Sequence, residues 1–596
     1  MRMNRLALGL GVAGLLSCGA VGLGGSTAAG NLHRACVRPA AGSTVAEPEE
    51  LRSTNGVLRA ELRYRKIVDE NGRARYCYLS ADGSEAPNLR VKPGDTVILS
   101  LKNEMVDAPE QASSMSMKSM AMNMSSGMGM ANSGMPVSNA CASPVMTPLS
   151  TNLHFHGFSI PPTCHQDDVL KTMIQPGDPP FEYHFQVPVD QPAGLYWYHP
   201  HIHGFTSPQV LGGASGALIV EGIERSAPEL AGLPERVFVI RDQDLVNPNA
   251  EPVKTDSMPP PIALRDAEGD ILNSGTGTGK PAKDLSINFV PVAYPEYRPA
   301  VIATKPSQRQ LWRVLNASAI TYLDLQVLVN GKAELVGVVS LDGVPINYNG
   351  QNGQSGGDTN RVLWQSHVLM PPAGRVEFIF KGVLENARAS LVTRSVDTGP
   401  AGENDPTRPL ATIVAATDAP EPRLHLAASP VPQPAPTSTW IGNAMPVRVR
   451  KLYFSERPQD PSNPNGPTSF FITVDGQTPA VFDPSSGMPN IIAHQGDVED
   501  WIIENRSQEL HAFHIHPIHF MLVDWNGVPV DEPFLRDTIN VPYWDGKSPQ
   551  FPSVKLRMDF RDPNTVGTFP YHCHLLEHED GGMMGLIRVE PAAAEH

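Results

Sequence analysis

Four short blocks hold most of the nineteen histidines in this 596-residue chain. They are Leu153-His154-Phe155-His156-Gly157, Tyr198-His199-Pro200-His201-Ile202-His203, His511-Ala512-Phe513-His514-Ile515-His516, and His572-Cys573-His574 with His578. On an extended strand, side chains at i and i+2 share a face, so each His-x-His offers two imidazoles to one site. A lone surface histidine is usually just solvated. Four pairs in one chain supply eight imidazoles able to converge, and imidazole suits copper, zinc and iron. Cys573 lies between His572 and His574, so on a strand it faces the other way. There it can join His511 and His578 in a trigonal thiolate–imidazole site, with Met583 as the weak axial donor, which is the blue-copper pattern. Two metal centres would then be joined through neighbouring residues of one strand.

The elements that must carry these residues read as strands. In Leu58-Arg59-Ala60-Glu61-Leu62-Arg63-Tyr64-Arg65 apolar and polar residues alternate, as a half-buried strand requires. Asp69-Glu70-Asn71-Gly72 supplies a turn into a second strand around Tyr76 to Leu79. A repeat emerges when three segments are aligned. Lys92-Pro93-Gly94-Asp95 opens a strand ending at Asn103, Pro306-Ser307-Gln308-Arg309 opens one ending at Asn316, and His494-Gln495-Gly496-Asp497 opens one ending at Asn505. After each asparagine comes a strand with polar residues at i and i+2: His154 and His156, Asp324 and Gln326, His514 and His516. A second correspondence links Asp190…Gly194…Tyr198-His199-Pro200-His201 with Asp562…Gly567…Tyr571-His572-Cys573-His574. The simplest reading is an all-β chain of three consecutive β-sandwiches over 45–223, 234–420 and 447–596. Metal ligands are kept in the first and third, and the middle copy acts as a spacer. The boundaries fall near 223–234 and in the Pro-rich stretch from Asp418 to Pro446.

Composition agrees with this reading and excludes others. With 41% hydrophobic and 18% charged residues the chain can bury sizeable cores, and 58 prolines favour short strands and turns over long helices. The net charge is −16 with no basic stretch, which argues against a nucleic-acid partner. Arg2 and Arg5 precede an uncharged run from Leu6 to Gly25 and small residues through Ala29, so residues 1–30 read as an export signal. Leu15-Leu16-Ser17-Cys18 also resembles a lipoprotein cleavage box, which would leave Cys18 acylated as a lipid anchor. Either way the mature chain is expected outside the cytoplasm: periplasmic, secreted or membrane-tethered. In that oxidising setting Cys36, Cys77, Cys141 and Cys164 allow three pairings. Cys36–Cys77 with Cys141–Cys164 is the one favoured here.

The four histidine blocks together resemble those of the three-domain multicopper oxidases, the laccases and bacterial copper-efflux (cuprous) oxidases among them. The run His572-Cys573-His574-Leu575-Leu576-Glu577-His578-Glu579-Asp580 is especially similar to the copper-efflux branch. The resemblance extends from about residue 45 to the end, apart from an insert at 105–146. It implies cupredoxin-like Greek-key sandwiches and four coppers per chain. His511, Cys573, His578 and Met583 match the type 1 ligands. His154 and His514 match the type 2 ligands, and His156, His199, His201, His516, His572 and His574 the type 3 ligands. Asp167 and Glu579 match carboxylates that relay protons, with Asp168 as the competitor to Asp167. His203 and His519 match no ligand position. Ala512 and Pro517 depart from the family's usual Pro and Gly at those spacers.

The implied reaction oxidises a donor one electron at a time and reduces O₂ to water. The partners would be O₂ and either Cu(I) or a phenolic or aromatic amine reductant, acting on a monomer. The expected role is copper tolerance. The alternatives are a laccase with a phenolic substrate and, in another class, a copper-sequestering protein. Met115, Met117, Met120, Met122, Met124, Met128, Met130 and Met135 stand among Ser, Gly, Asn and Ala, too polar a setting for core. Their thioethers suit soft Cu(I).

Overall fold

The strand from Val57 to Val68 shows how the local pattern becomes architecture. Leu58, Ala60, Leu62 and Tyr64 are buried while Arg59 and Glu61 face solvent, as the alternation requires. It pairs antiparallel with Ala74–Leu79 and parallel with Thr96–Asn103, which in turn pairs with Phe181–Gln186. The computed structural model describes residues 36–106, 139–142, 146–251, 265, 270–272, 279–347, 362–427, 440–463 and 466–592. The export signal, Cys18, the methionines from Met115 to Met135 and part of the Asp418–Pro446 boundary lie outside the described residues.

Six sheets build three sandwiches, each with its own apolar core. The first sandwich stacks the four-stranded sheet just described on a five-stranded one, in the order Glu50–Arg52, Asn88–Val91, Gly216–Val220, Gly194–His199, His154–His156. The third repeats the design with the order Ile491–His494, Met584–Glu590, Gly567–Cys573, His511–Ile515, Thr538–Val541. The internal repeat is therefore one of strand pairing. His154 sits opposite His199 in the first sandwich, and His514 sits opposite His572 in the third.

The three repeated asparagines do one job three times. Each is buried at a strand end, and its side-chain oxygen accepts the N–H two residues on, from Met105, Ser318 and Ser507 respectively. Each side-chain amide donates to the segment leading into the next strand: Asn103 to Leu149, Asn316 to Thr321, and Asn505 to Glu509. A short amide replaces the ladder where the strand stops, so the next strand starts at a fixed point.

The first and middle sandwiches are locked by a buried chain of charges, Arg90–Glu235–Arg313–Glu377, whose last carboxylate accepts the Leu195 N–H at 3.0 Å. Burial of such charges is tolerated because each is paired and hydrogen-bonded. The disulfides are Cys36–Cys77 and Cys141–Cys164, as expected, leaving Cys573 as the free cysteine among the described residues.

Candidate metal centre

Where the first and third sandwiches meet, the eight paired histidines converge in a buried cluster. His154 stacks on His516 with ring centroids 3.8 Å apart, and His156 stacks on His514 at 3.9 Å. His199 and His201 close one side, His572 and His574 the other. Five of the eight rings are held by hydrogen-bond partners outside the cluster. The Nδ1 atoms of His199, His514 and His572 lie 2.9, 2.7 and 2.9 Å from the carbonyl oxygens of Pro200, Asp537 and Cys573. A carbonyl can only accept, so these nitrogens carry the proton and Nε2 presents a lone pair inward. Asp167 holds His154 Nδ1 with both oxygens at 2.9 and 3.0 Å, and also accepts the Phe155 N–H. His156 is held the other way round, its Nε2 lying 3.2 Å from Asp537 Oδ1.

The inward nitrogens fit a metal. His154 Nε2, His156 Nδ1, His199 Nε2 and His514 Nε2 are buried there without a hydrogen-bond partner, as are both nitrogens of His574, while His516 turns Nδ1 toward Asp167 at 3.7 Å and Nε2 toward His572 Nε2 at 3.4 Å. Leaving one such group unpaired costs about 1–3 kcal/mol, so this many in one place calls for a positive charge among them. Burial holds His199 and His514 down to about 3 and His572 to about 4, so all three are neutral donors at neutral pH.

Cys573 ends the strand Gly567–Cys573 and turns its sulfur away from its two histidine neighbours. Sγ lies 3.5 Å from His511 Nδ1 and 3.8 Å from His578 Nδ1, and those nitrogens are 3.2 Å apart. Met583 is fully buried in the same core, and its carbonyl accepts the Cys573 N–H at 3.1 Å. Phe470 stacks on His578 at 4.3 Å. The outer nitrogens meet carboxylates: His511 Nε2 lies 3.1 Å from Glu456, and His578 Nε2 lies 3.4 Å from Glu509.

Glu579 follows His578 on the short helix Leu576–Asp580 and lies 3.5 Å from His572 Nδ1 and 3.7 Å from His201 Nδ1. Burial, with Asp580 beside it, pushes its carboxyl well above the usual range. Asp168, the competitor to Asp167, instead accepts the Lys171 N–H. His519 lies 3.2 Å from the Asp342 carbonyl oxygen, and His203 packs edge-on to Phe482 at 5.0 Å; neither joins the cluster.

The middle sandwich is more than the spacer expected of it. Its Arg375 and Asp342 reach the cluster's surroundings through Asp537. Asp537, Arg375, Glu456 and Glu509 were not singled out in the sequence. Asp537 lies 381 residues from the histidine it holds, and its neighbours Arg536 and Thr538 form no motif.

The fold and site together define a chain of cupredoxin-like sandwiches with a buried polyhistidine centre beside a thiolate site. Residues 137–225 and 460–593, which hold the four histidine blocks, match family models described as multicopper oxidase, a copper-binding class. A multicopper oxidase of Staphylococcus aureus is 24% identical over 448 residues, covering 74% of this chain and 77% of that one. Among solved structures, a metallo-oxidase from Campylobacter jejuni covers 93% of this chain and 96% of its own, with TM-score 0.59 and 22% identity. A laccase-like CueO from a lignin-degrading Ochrobactrum sp. aligns with TM-score 0.57 and 18% identity over 91% of this chain and 100% of that one. These structural likenesses establish the three-domain cupredoxin-like fold.

Proposed function

We propose that the protein is an extracytoplasmic oxidase that takes electrons singly from a donor at a type 1 copper and delivers them to O₂ at a trinuclear copper cluster. The single observation that carries this reading is the division of labour at residues 572–574. Cys573 faces His511 and His578, while His572 and His574 belong to the eight-histidine cluster. Copper, when bound, would supply the one-electron acceptor at the first site and the O₂-reducing centre at the second.

The ligand assignment proposed is His511, Cys573, His578 and Met583 for type 1, His154 and His514 for type 2, and His156, His199, His201, His516, His572 and His574 for type 3. The chain itself provides the path between sites. From Cys573 Sγ the route runs along the backbone to both flanking histidines, shortened where His572 Nδ1–H donates to the Cys573 carbonyl. Four-electron reduction of O₂ consumes four protons, so carboxylates must reach a buried centre. Burial, with Asp580 beside it, raises the Glu579 carboxyl well above its usual range, and it sits beside His201 and His572 with Thr206 Oγ1 at 3.3 Å. Asp167 fixes the His154 ring and stands ready as the second relay.

For the donor, we favour Cu(I) and a role in copper tolerance over a phenol. His511 and His578 are 0% and 3% exposed, so little of either imidazole is open to a bulky aromatic. Carboxyls lie behind their outer nitrogens, and that of Glu456, held below the usual range by its hydrogen bond to His511, supplies a negative charge that draws a cation. The thioether segment from Met115 to Met135 would add soft capture of Cu(I). The disulfides support a location in an oxidising compartment. Oxygen-electrode kinetics with Cu(I) and with a substituted phenol, on protein of known copper content, test the reading. Steady O₂ uptake faster with Cu(I) is expected. A phenol preference would make the protein a laccase, and no uptake with bound copper would make it a sequestering protein.

A further inference from the structure

Arg375 lies on the strand Arg375–Phe380 of the middle sandwich and is 1% exposed. All of its side-chain N–H groups are directed to acceptors, and those acceptors come from all three sandwiches. Nε donates to Leu195 O of the first sandwich at 3.3 Å. Nη1 donates to Ala373 O at 2.9 Å and to Asp537 Oδ1 of the third sandwich at 2.8 Å. Nη2 donates to Asp342 O at 2.9 Å and to Asp537 Oδ2. The two bonds to Asp537 are a parallel fork, the geometry that fixes a carboxylate plane as well as its position.

Asp537 in turn touches two members of the histidine cluster in two different ways. Its Oδ1 lies 3.2 Å from His156 Nε2, and its backbone carbonyl accepts from His514 Nδ1 at 2.7 Å. His156 belongs to the first sandwich and His514 to the third, and their rings stack at 3.9 Å. Thr538 Oγ1 donates to the same Oδ1 at 2.9 Å and lies 3.4 Å from His156 Nε2. Room for this contact is made by Gly157, immediately after His156: an added Cβ there would lie 2.5 Å from Asp537 Oδ2 and 2.8 Å from Arg375 Nη2.

We propose that Arg375, supplied by the sandwich that holds no ligands, is a positioning residue for the trinuclear site: its fork on Asp537 sets the direction in which His156 and His514 aim their inward nitrogens. The physical reason is that an imidazole has two usable nitrogens and rotates freely unless its outer one is bonded. His156 is the ring whose outer nitrogen is Nε2, so its aim depends on a side-chain acceptor rather than on its own backbone. That acceptor is held by Arg375. The middle sandwich therefore takes part in the geometry of the centre while contributing no ligand to it.

This inference rests on the copper reading above, and the test separates the two. Arg375→Gln and Arg375→Lys are compared with the parent protein after copper loading. The readouts are the type 1 thiolate absorption, the type 2 electron paramagnetic resonance signal, the type 3 near-ultraviolet shoulder and bound copper under competition with a chelator. The expected result for Arg375→Gln is an unchanged type 1 band with trinuclear copper held on the order of tenfold more weakly, the usual scale for loss of a partner behind a metal ligand. Arg375→Lys should restore only part of this, because one ammonium cannot replace a fork that also serves three carbonyls. Asp537→Asn, which keeps volume and the backbone carbonyl, is read the same way should the arginine variants prove insoluble. Parallel loss of type 1 and trinuclear signals, wild-type retention of both, or insolubility of all three variants would overturn the proposal. A parent protein without a type 1 band would instead overturn the copper reading itself.

Discussion

His572 and Cys573 are adjacent in the chain yet face different sites, and they are joined again by a hydrogen bond, His572 Nδ1–H to the Cys573 carbonyl at 2.9 Å. The Cys573 sulfur is therefore the point at which the two proposed centres can be cut apart. Cys573→Ser should abolish the thiolate-to-copper absorption and donor oxidation while leaving the eight-histidine site able to bind copper. Absorption spectra with copper quantitation check this; a blue mutant would remove Cys573 from the type 1 site.

Met583→Leu should raise the type 1 reduction potential with little change in fold. A weak thioether favours Cu(II), leucine offers no donor, and the two side chains are similar in volume. Redox titration of the blue band is the measurement. An unchanged potential and spectrum would make this fully buried residue ordinary core.

Gly157→Ala should damage the His156 contact directly. The residue has φ of +86°, and the added Cβ would come within 2.5 Å of Asp537 Oδ2. Left-handed backbone and overpacking together should cost about 2–4 kcal/mol. Calorimetry of the metal-free protein should show a lowered unfolding transition, and trinuclear copper should be held less tightly; wild-type values of both would contradict the packing described.

Glu456→Gln removes the charge facing His511 Nε2 while keeping the shape of the side chain. The type 1 potential should rise, because a carboxylate accepting from an imidazole strengthens it as a donor to the oxidised metal. The kcat/KM for Cu(I) should fall roughly tenfold while a phenol is affected far less, judging from the usual scale of such second contacts. Equal losses on both donors would argue against the carboxylate as a guide for cations.

Glu579→Gln keeps the hydrogen-bonding shape but cannot carry a proton. Steady-state O₂ uptake should fall on the order of a hundredfold, the lower range for a lost general acid, while stopped-flow reduction of the type 1 site by the donor stays unchanged. Slowing of both steps together would place the defect upstream of proton delivery.

The residues that carry the strongest signal were legible because strand geometry is local. A period of two places His572 and His574 together and Cys573 opposite, and this follows from pleating alone. The same holds for Leu58 to Tyr64, whose alternation became a half-buried strand, and for Asn103, Asn316 and Asn505, whose spacing marked three copies of one sandwich.

What the amino-acid sequence determined by itself was the set of candidate donors, the all-β class and the separation of a thiolate site from a polyhistidine site, since each depends on neighbours within a few residues. Which nitrogen of each ring points inward was left to the tertiary structure. So were the carboxylates behind His511 and His578, and the place of Arg375 beneath the cluster. Most of those choices rest on contacts distant in the chain, some within one sandwich, such as His511 with Glu456, and some between sandwiches, such as His156 with Asp537 across 381 residues. A hydrogen bond is decided within about 3 Å, and no pattern in a single strand encodes what another sandwich will bring to that distance.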